Sequence, residues 1–506
     1  MKKIIIVLSF CILLQPLLFA TGGSDAVSSS ERGSYLARLG RLIPPNEIYV
    51  EAYIAQSDYN YPLPAAGALS VIPAAGYRDD TAYLMVGLMG RKEDFAALPP
   101  MNICFVIDIS GSMSAQNKLD WVKESFHIFI EQVRPEDFVS VVIFDNQIEL
   151  LIAPGQIKSR EDRDQFRKQV DALGPRGNTN IYGGMEMGYQ QVEANYRPEY
   201  TNRVILLTDG MDNASGKTKK EFLDFCTFYR DRNINISTIA LGEQADINLM
   251  VDMAIAGGGS SRFISDRTVM EQTFGSELDR LVVTAVKNLS MELVLSDGVT
   301  LKETWGYSYW TNANTVHYSL DTLHNGDYET IMAEAVLTRP MVPGTVLANF
   351  YLSYEDSRGI AQREGPFPLT LGPDSGSLIT DPRVREAEGY IALAKGLIDI
   401  GNRYIEINGL QTDFNIQRDE QFRNAGAHTR EAQHDIPDTS EIAALRKTII
   451  GKLDECLGII HFLNNRLTEI NESLGGGIYA KEPGILENYD NIFTTSMEFY
   501  TGESQS

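Results

Sequence analysis

Cysteine is scarce, with four in 506 residues. One of them, Cys11, lies in an apolar stretch at the N-terminus, which leaves Cys104, Cys226 and Cys456. An odd number without local pairing argues against a disulfide framework, and all three read as small core hydrophobes. Histidine is also rare, at six, and none lies in the loops singled out below. Positive charge is short: 44 Lys and Arg face 68 Asp and Glu, a formal net charge of −24. Phosphate groups are bound by clustered basic side chains, so this balance argues against nucleic acid and anionic membrane surfaces as partners. Beyond residue 20 no apolar run is long enough to span a bilayer, so no transmembrane helix is expected in the mature chain.

The N-terminus itself carries a pattern. Met1-Lys2-Lys3 is followed by an apolar run from Ile4 to Ala20 and then by small residues up to Gly23. A basic start, apolar middle and small-residue end predict a secretory signal peptide over 1–22, hence an exported protein in the periplasm, at the cell surface or outside the cell. A retained anchor is the alternative, although Ser9, Gln15 and Pro16 interrupt the run. The remaining length exceeds a single core and predicts two to four domains.

The chain is organised around Asn102-Ile103-Cys104-Phe105-Val106-Ile107-Asp108-Ile109-Ser110-Gly111-Ser112. An unbroken apolar run is the mark of a strand buried on both faces of a parallel sheet. It ends in a carboxylate and two hydroxyls at alternate positions, at the carboxyl edge where open α/β sheets place ligands. A second buried run, Arg203 to Leu207, ends in Thr208-Asp209-Gly210. Between them Gly177-Asn178-Thr179-Asn180 offers another hydroxyl ahead of a helical pattern. Such hard oxygen donors suit Mg²⁺ rather than a soft metal. Ser and Asp are also ordinary helix caps, which is the plain rival reading of any one of these residues. A phosphatase-type nucleophile at Asp108 would want an Asp where Ser110 stands, and the Gly210–Gly216-Lys217-Thr218 spacing is one residue too long for a phosphate-binding P-loop.

The order D-x-S-x-S, then Thr, then T-D-G resembles the metal-ion-dependent adhesion site of von Willebrand factor type A domains. Carried over residue by residue, the resemblance implies metal ligation by Asp108, Ser110, Ser112, Thr179 and Asp209, with the serines and the threonine reaching the ion and the aspartates acting largely through water. The ion implied is Mg²⁺, with Mn²⁺ or Ca²⁺ as substitutes. Upstream, Pro44-Pro45 with Ile48-Tyr49-Val50-Glu51, and Tyr59-Asn60-Tyr61-Pro62, are similar to segments preceding the A domain in a group of exported bacterial proteins. Sheet packing is the favoured reading of those tyrosines.

The expected architecture is a doubly wound, mostly parallel α/β sheet over 101–283, inserted in a β-sandwich and followed by a helical region. Residues 23–45 are expected to be a flexible or helical lead and 46–99 the first part of the sandwich. Period-two patterns over 286–374, divided by Asp297-Gly298, Asn325-Gly326 and Pro343-Gly344 turns, supply its second part. Apolar steps of three and four predict a helical hairpin over 380–475, with polar 411–440 as a mobile connection and 476–506 as a featureless tail.

The function expected is non-enzymatic: a protein-binding module whose metal captures an exposed Asp or Glu of a partner protein. An assembly or chaperone subunit working with an ATPase, or a metal-assisted hydrolase, are the alternatives. Asp212 is the one spare carboxylate near the motif and reads as solvated. Asp108 and Asp209 are expected at the open sheet edge, repelling one another without metal, so that Asp209→Asn would cost the metal-free fold little.

Overall fold

The computed structural model describes residues 27–501 apart from 58, 79–80, 93–98, 277–283, 306, 357–358, 373–378, 380, 427–432, 434–435 and 475–484. The expected signal peptide lies outside the described residues. The described residues begin with helices α1 (Val27–Arg38) and α2 (Val50–Ile54) and strands β1 (Leu69–Arg78) and β2 (Thr81–Gly90). An α/β unit follows: β3 (Met101–Asp108), α3 (Lys118–Gln132), β4 (Phe138–Phe144), β5 (Ile148–Gln156), α4 (Arg160–Asp171), α5 (Ile181–Ala194) and β6 (Thr201–Thr208). It continues through α6 (Lys219–Arg230), β7 (Asn235–Leu241), α7 (Ile247–Ala256), β8 (Ser261–Ile264) and α8 (Arg267–Ser276). Seven strands come next: β9 (Thr284–Leu295), β10 (Val299–Thr304), β11 (Ser308–Asn312), β12 (Thr315–His324), β13 (Tyr328–Leu337), β14 (Val346–Asp356) and β15 (Ala361–Thr370). Helices α9 (Pro382–Asn424), α10 (Ser440–Leu474) and α11 (Ile485–Thr501) end the described chain.

In the α/β unit the strand order is β5-β4-β3-β6-β7-β8, parallel except for the β4–β5 pair. β3 is central and buried along its whole length. Because successive side chains in a strand point to opposite faces, its apolar run serves two cores. Ile103, Phe105 and Ile107 pack with Val122, Phe126 and Phe129 of α3, while Cys104 and Val106 pack with Met185 and Tyr189 of α5. Local signals set the helix starts. Ser159 with Asp162 and Thr218 with Glu221 form reciprocal capping boxes at α4 and α6, and the Asp246 side chain caps α7.

The remaining strands form two antiparallel sheets, ordered β1-β2-β13-β10 and β11-β12-β9-β14-β15, closed over one apolar core. β2 precedes the α/β unit and β13 follows it, yet they pair over nine residues from Tyr328↔Met89 to Val336↔Thr81. The α/β unit therefore sits within the sandwich sequence.

Three segments differ from the sequence reading. The Val50–Ile54 motif is a short buried helix, and Tyr53 and Ile54 join the core of the C-terminal helices rather than that of the sandwich. Tyr61 does lie on the sheet: its hydroxyl bonds Thr330 Oγ1 at 3.0 Å, and a side chain at Gly87 of β2 would collide with its ring. At the other end α9 runs on to Asn424, well into the stretch expected as a connection, and α11 occupies what was expected as tail. Tyr489 and Phe493 of α11 fill the same core as Ile391 and Leu453, and the Tyr489 hydroxyl accepts from the Ile43 N–H at 2.8 Å.

Candidate metal centre

The two apolar runs end side by side, because β3 and β6 pair in parallel with Ile107 opposite Leu207. Asp108 and Asp209 follow directly from that register. The Asp108 carboxylate accepts the Ser110 N–H at 2.7 Å and the Thr208 hydroxyl at 2.5 Å. Ser110 Oγ and Ser112 Oγ are 3.1 Å apart, and the Ser112 hydroxyl donates to Asp209 Oδ1 at 2.6 Å. Four of the five predicted residues thus form one chain of contacts, which Asp108 joins through the Ser110 backbone N–H.

Thr179 arrives from the loop before α5. That loop is tied on three sides. Arg176 N–H donates to Ile109 O at 2.6 Å, Gly111 N–H to Gly177 O at 3.2 Å and Asn180 N–H to Asp145 O at 3.0 Å. Gly177 has φ +73, and a side chain there would strike Asp145 Oδ2 at 2.7 Å, so glycine is required by both backbone and space. On the far side Thr179 N–H donates to Asn213 Oδ1 at 3.0 Å, and Asn213 N–H returns to Thr179 O at 3.0 Å. The Thr179 hydroxyl consequently faces Gly210, where an added Cβ would stand 3.2 Å from it.

Burial corrects the expected electrostatics. Asp108 and Asp209 are both fully buried, and Ser110 and Thr179 nearly so; Ser112 is half-buried. Burial, only partly offset by the bonds from Ser110 and Thr208, pushes the Asp108 carboxyl up to about 6. Asp209 does not simply face Asp108 across an open edge. Its Oδ2 accepts from Lys118 Nζ at 2.7 Å, and the lysine is itself buried. Removing the Asp209 charge would strand that cation, so the geometry argues for a larger cost of Asp209→Asn than the sequence suggested. Asp212 also differs from its solvated reading: its Oδ1 accepts the Ile181 N–H at 2.9 Å, and Ser215 donates to the other oxygen.

Sequence reasoning missed two neighbours of the candidate centre. Thr208 could have been read from the T-D-G triplet, because a residue flanking the second carboxylate at a strand end faces the first across a parallel pair. Lys118 had no such signal, since the first residue of a helix is ordinarily exposed.

The donor set fits a hard divalent cation: two carboxylates and three hydroxyls, at the mouth of a parallel sheet, with no sulfur or imidazole among them.

Residues 101–263 match the family model described as von Willebrand factor type A domain. Among curated proteins, the chain is 25% identical over 305 residues to an uncharacterized Escherichia coli protein, YfbK, covering 57% of this chain and 52% of that protein. It is likewise 25% identical over 309 residues to the uncharacterized Synechocystis protein sll0103, covering 59% and 72%. The chain thus spans about half the length of the Escherichia coli relative. Among solved structures, a von Willebrand factor type A protein from Catenulispora acidiphila aligns over 82% of this chain and 91% of its own, with 15% identity and a TM-score of 0.49. The family match falls on the six-stranded unit, so this chain joins an α/β fold like that of von Willebrand factor type A domains to an antiparallel sheet region and a C-terminal helical region.

Proposed function

We propose that this chain is a non-enzymatic, divalent-metal-dependent protein-binding module that works outside the cytoplasm and captures an exposed Asp or Glu of a partner protein. Domains of the matched family are in general protein-interaction or adhesion modules. The observation that carries the reading is the continuous set Asp108–Ser110–Ser112–Asp209, with Thr179 beside it, at one edge of the sheet. A bound Mg²⁺ would supply a hard, positively charged position for a carboxylate oxygen.

The chain's own residues do the rest. Asp108 and Asp209 supply negative charge where water is excluded, and their bonds from Ser110, Thr208 and Ser112 hold them in place before any ion arrives. The three hydroxyls carry no charge, so the donors do not neutralise the ion beyond what the two carboxylates do. The rim loops 113–117, 177–180 and 211–217 are where a partner's surroundings would be read. Export rests on the leader pattern of residues 1–22, and N-terminal sequencing of the mature protein checks it.

The test is isothermal titration of the full chain with Mg²⁺ and Mn²⁺, followed by capture of a partner in Mg²⁺ and in EDTA. Saturable heat that Asp108→Ala abolishes, with capture only in metal, supports the proposal. No heat at millimolar metal, or heat unchanged by Asp108→Ala, overturns it.

A further inference from the structure

Lys118 is the one cation that touches the carboxylates of the site among the described residues, and its position is built rather than incidental. It is the first residue of α3, follows two residues in the left-handed region (Gln116, φ 56; Asn117, φ 59), and is only 4% exposed. Its stem runs past Gly242, at the carboxyl end of β7. There φ is +74 and an added Cβ would stand 2.9 Å from Lys118 Cε. A turn, a glycine and a buried helix start together make the channel through which Nζ reaches Asp209 Oδ2. The same carboxylate presents Oδ1 to Ser112. Asp209 is therefore held between a metal-donor hydroxyl on one oxygen and a lysine on the other.

We infer that Lys118 is a built-in counter-charge that fixes the orientation of Asp209 and leaves the metal-loaded centre with a net positive charge, so that the site takes an anionic ligand. This rests on the metal-binding reading above. The charge count is short. Two carboxylates and one ammonium give −1 before metal and +1 with a divalent ion in place. Without the lysine the loaded centre would be neutral, and a carboxylate would gain little by leaving water for it. The count covers only the groups in contact with the donor set; further out Asp145 pairs with Arg176, and Asp212, an anion still, is held by the N–H that opens α5. Lys118 thus weakens the hold on the cation and strengthens the hold on the partner's acid. It is a positioning residue, acting on the ion only through Asp209 and through its charge.

The test uses the full chain with Lys118→Met and Lys118→Gln, which keep much of the stem and remove the charge. Mg²⁺ and Mn²⁺ affinities are read by titration, and acetate binding to the Mn²⁺-loaded protein by water-proton relaxation. The expected result is opposite shifts: metal bound tighter by on the order of tenfold, and acetate bound weaker by a similar factor. Metal affinity unchanged or weaker, or acetate affinity unchanged, overturns the inference while leaving the metal site standing. Wild-type protein that gives no metal heat removes the underlying reading instead. Variants that unfold in EDTA but fold in millimolar Mg²⁺ support the counter-charge role. Variants unfolded even at saturating metal make Lys118 a fold-holding residue and refute it.

Discussion

Helix α5 delivers Thr179 to the centre, and it lies unusually close to β3 and β4 because of Gly184. A Cβ at that position would stand 2.6 Å from Phe144 Cδ1 and 3.1 Å from Val106 Cγ1, and both neighbours are fully buried. Carbon atoms pack best at about 3.5–4.0 Å, so Gly184→Ala requires a displacement of about 1 Å. Neither a core ring nor a β-branched side chain in the central strand can supply it cheaply. Such overpacking costs about 1–3 kcal/mol, and a clash on two rigid strands belongs in the upper half of that range. Against it, replacing glycine by alanine inside a helix gains about 0.5–1 kcal/mol. The net expectation is a loss of about 1–2.5 kcal/mol. The control is Gly451→Ala in α10, where nothing lies within 4 Å of the added atom and only the propensity gain of about 0.5–1 kcal/mol remains. Native-state hydrogen exchange reads each change on its own element, β3 amides for Gly184→Ala and α10 amides for Gly451→Ala. β3 amides as protected in Gly184→Ala as in the wild type would refute the reasoning, because the close approach would then carry no energy.

Other expectations follow from burial and charge. Asp209→Asn leaves Lys118 buried without its anion and should destabilise the metal-free protein by about 3–5 kcal/mol, read by thermal melting in EDTA; a melting temperature at or above wild type sinks the pairing. Ile107, fully buried in the central strand, should cost about 2–5 kcal/mol as Ile107→Ala, and added Mg²⁺ should still raise the melting temperature of that variant. The Asp108 carboxyl, raised to about 6, gives two pH effects of definite sign. Because the folded form binds its proton more tightly than the unfolded chain does, its contribution favours the fold below the ordinary Asp range and is lost as pH rises through about 6. Metal needs the ionised form, so Mg²⁺ affinity should be level above neutral pH and fall by about tenfold per unit well below 6. Titrations from pH 5 to 8 that show no such fall would count against Asp108 as a donor.

Local pattern made the α/β unit readable. The run from Ile103 to Ile107 is apolar at every position because both faces of β3 are covered, and a chain that turns polar after such a run has reached the sheet edge. Asp108 and Asp209 were therefore placed at the sheet edge by periodicity alone. Period-two strands and period-3.6 helices separated the sandwich from the helical region for the same reason: a strand or helix writes its burial into its own neighbours. What came only from the tertiary structure depends on residues far apart in sequence. Val50–Ile54 became a helix in the core built by α9, α10 and α11, a partnership about 330 residues long that no local pattern encodes. Nothing in the residues around Gly184 says that Phe144 and Val106 stand beside it. Lys118 sits 91 residues from Asp209 and reaches it through space opened by Gly242. Its charge reverses the expected electrostatics of the site, because a buried carboxylate is governed by its nearest counter-charge, and proximity of that kind is decided by the folded chain.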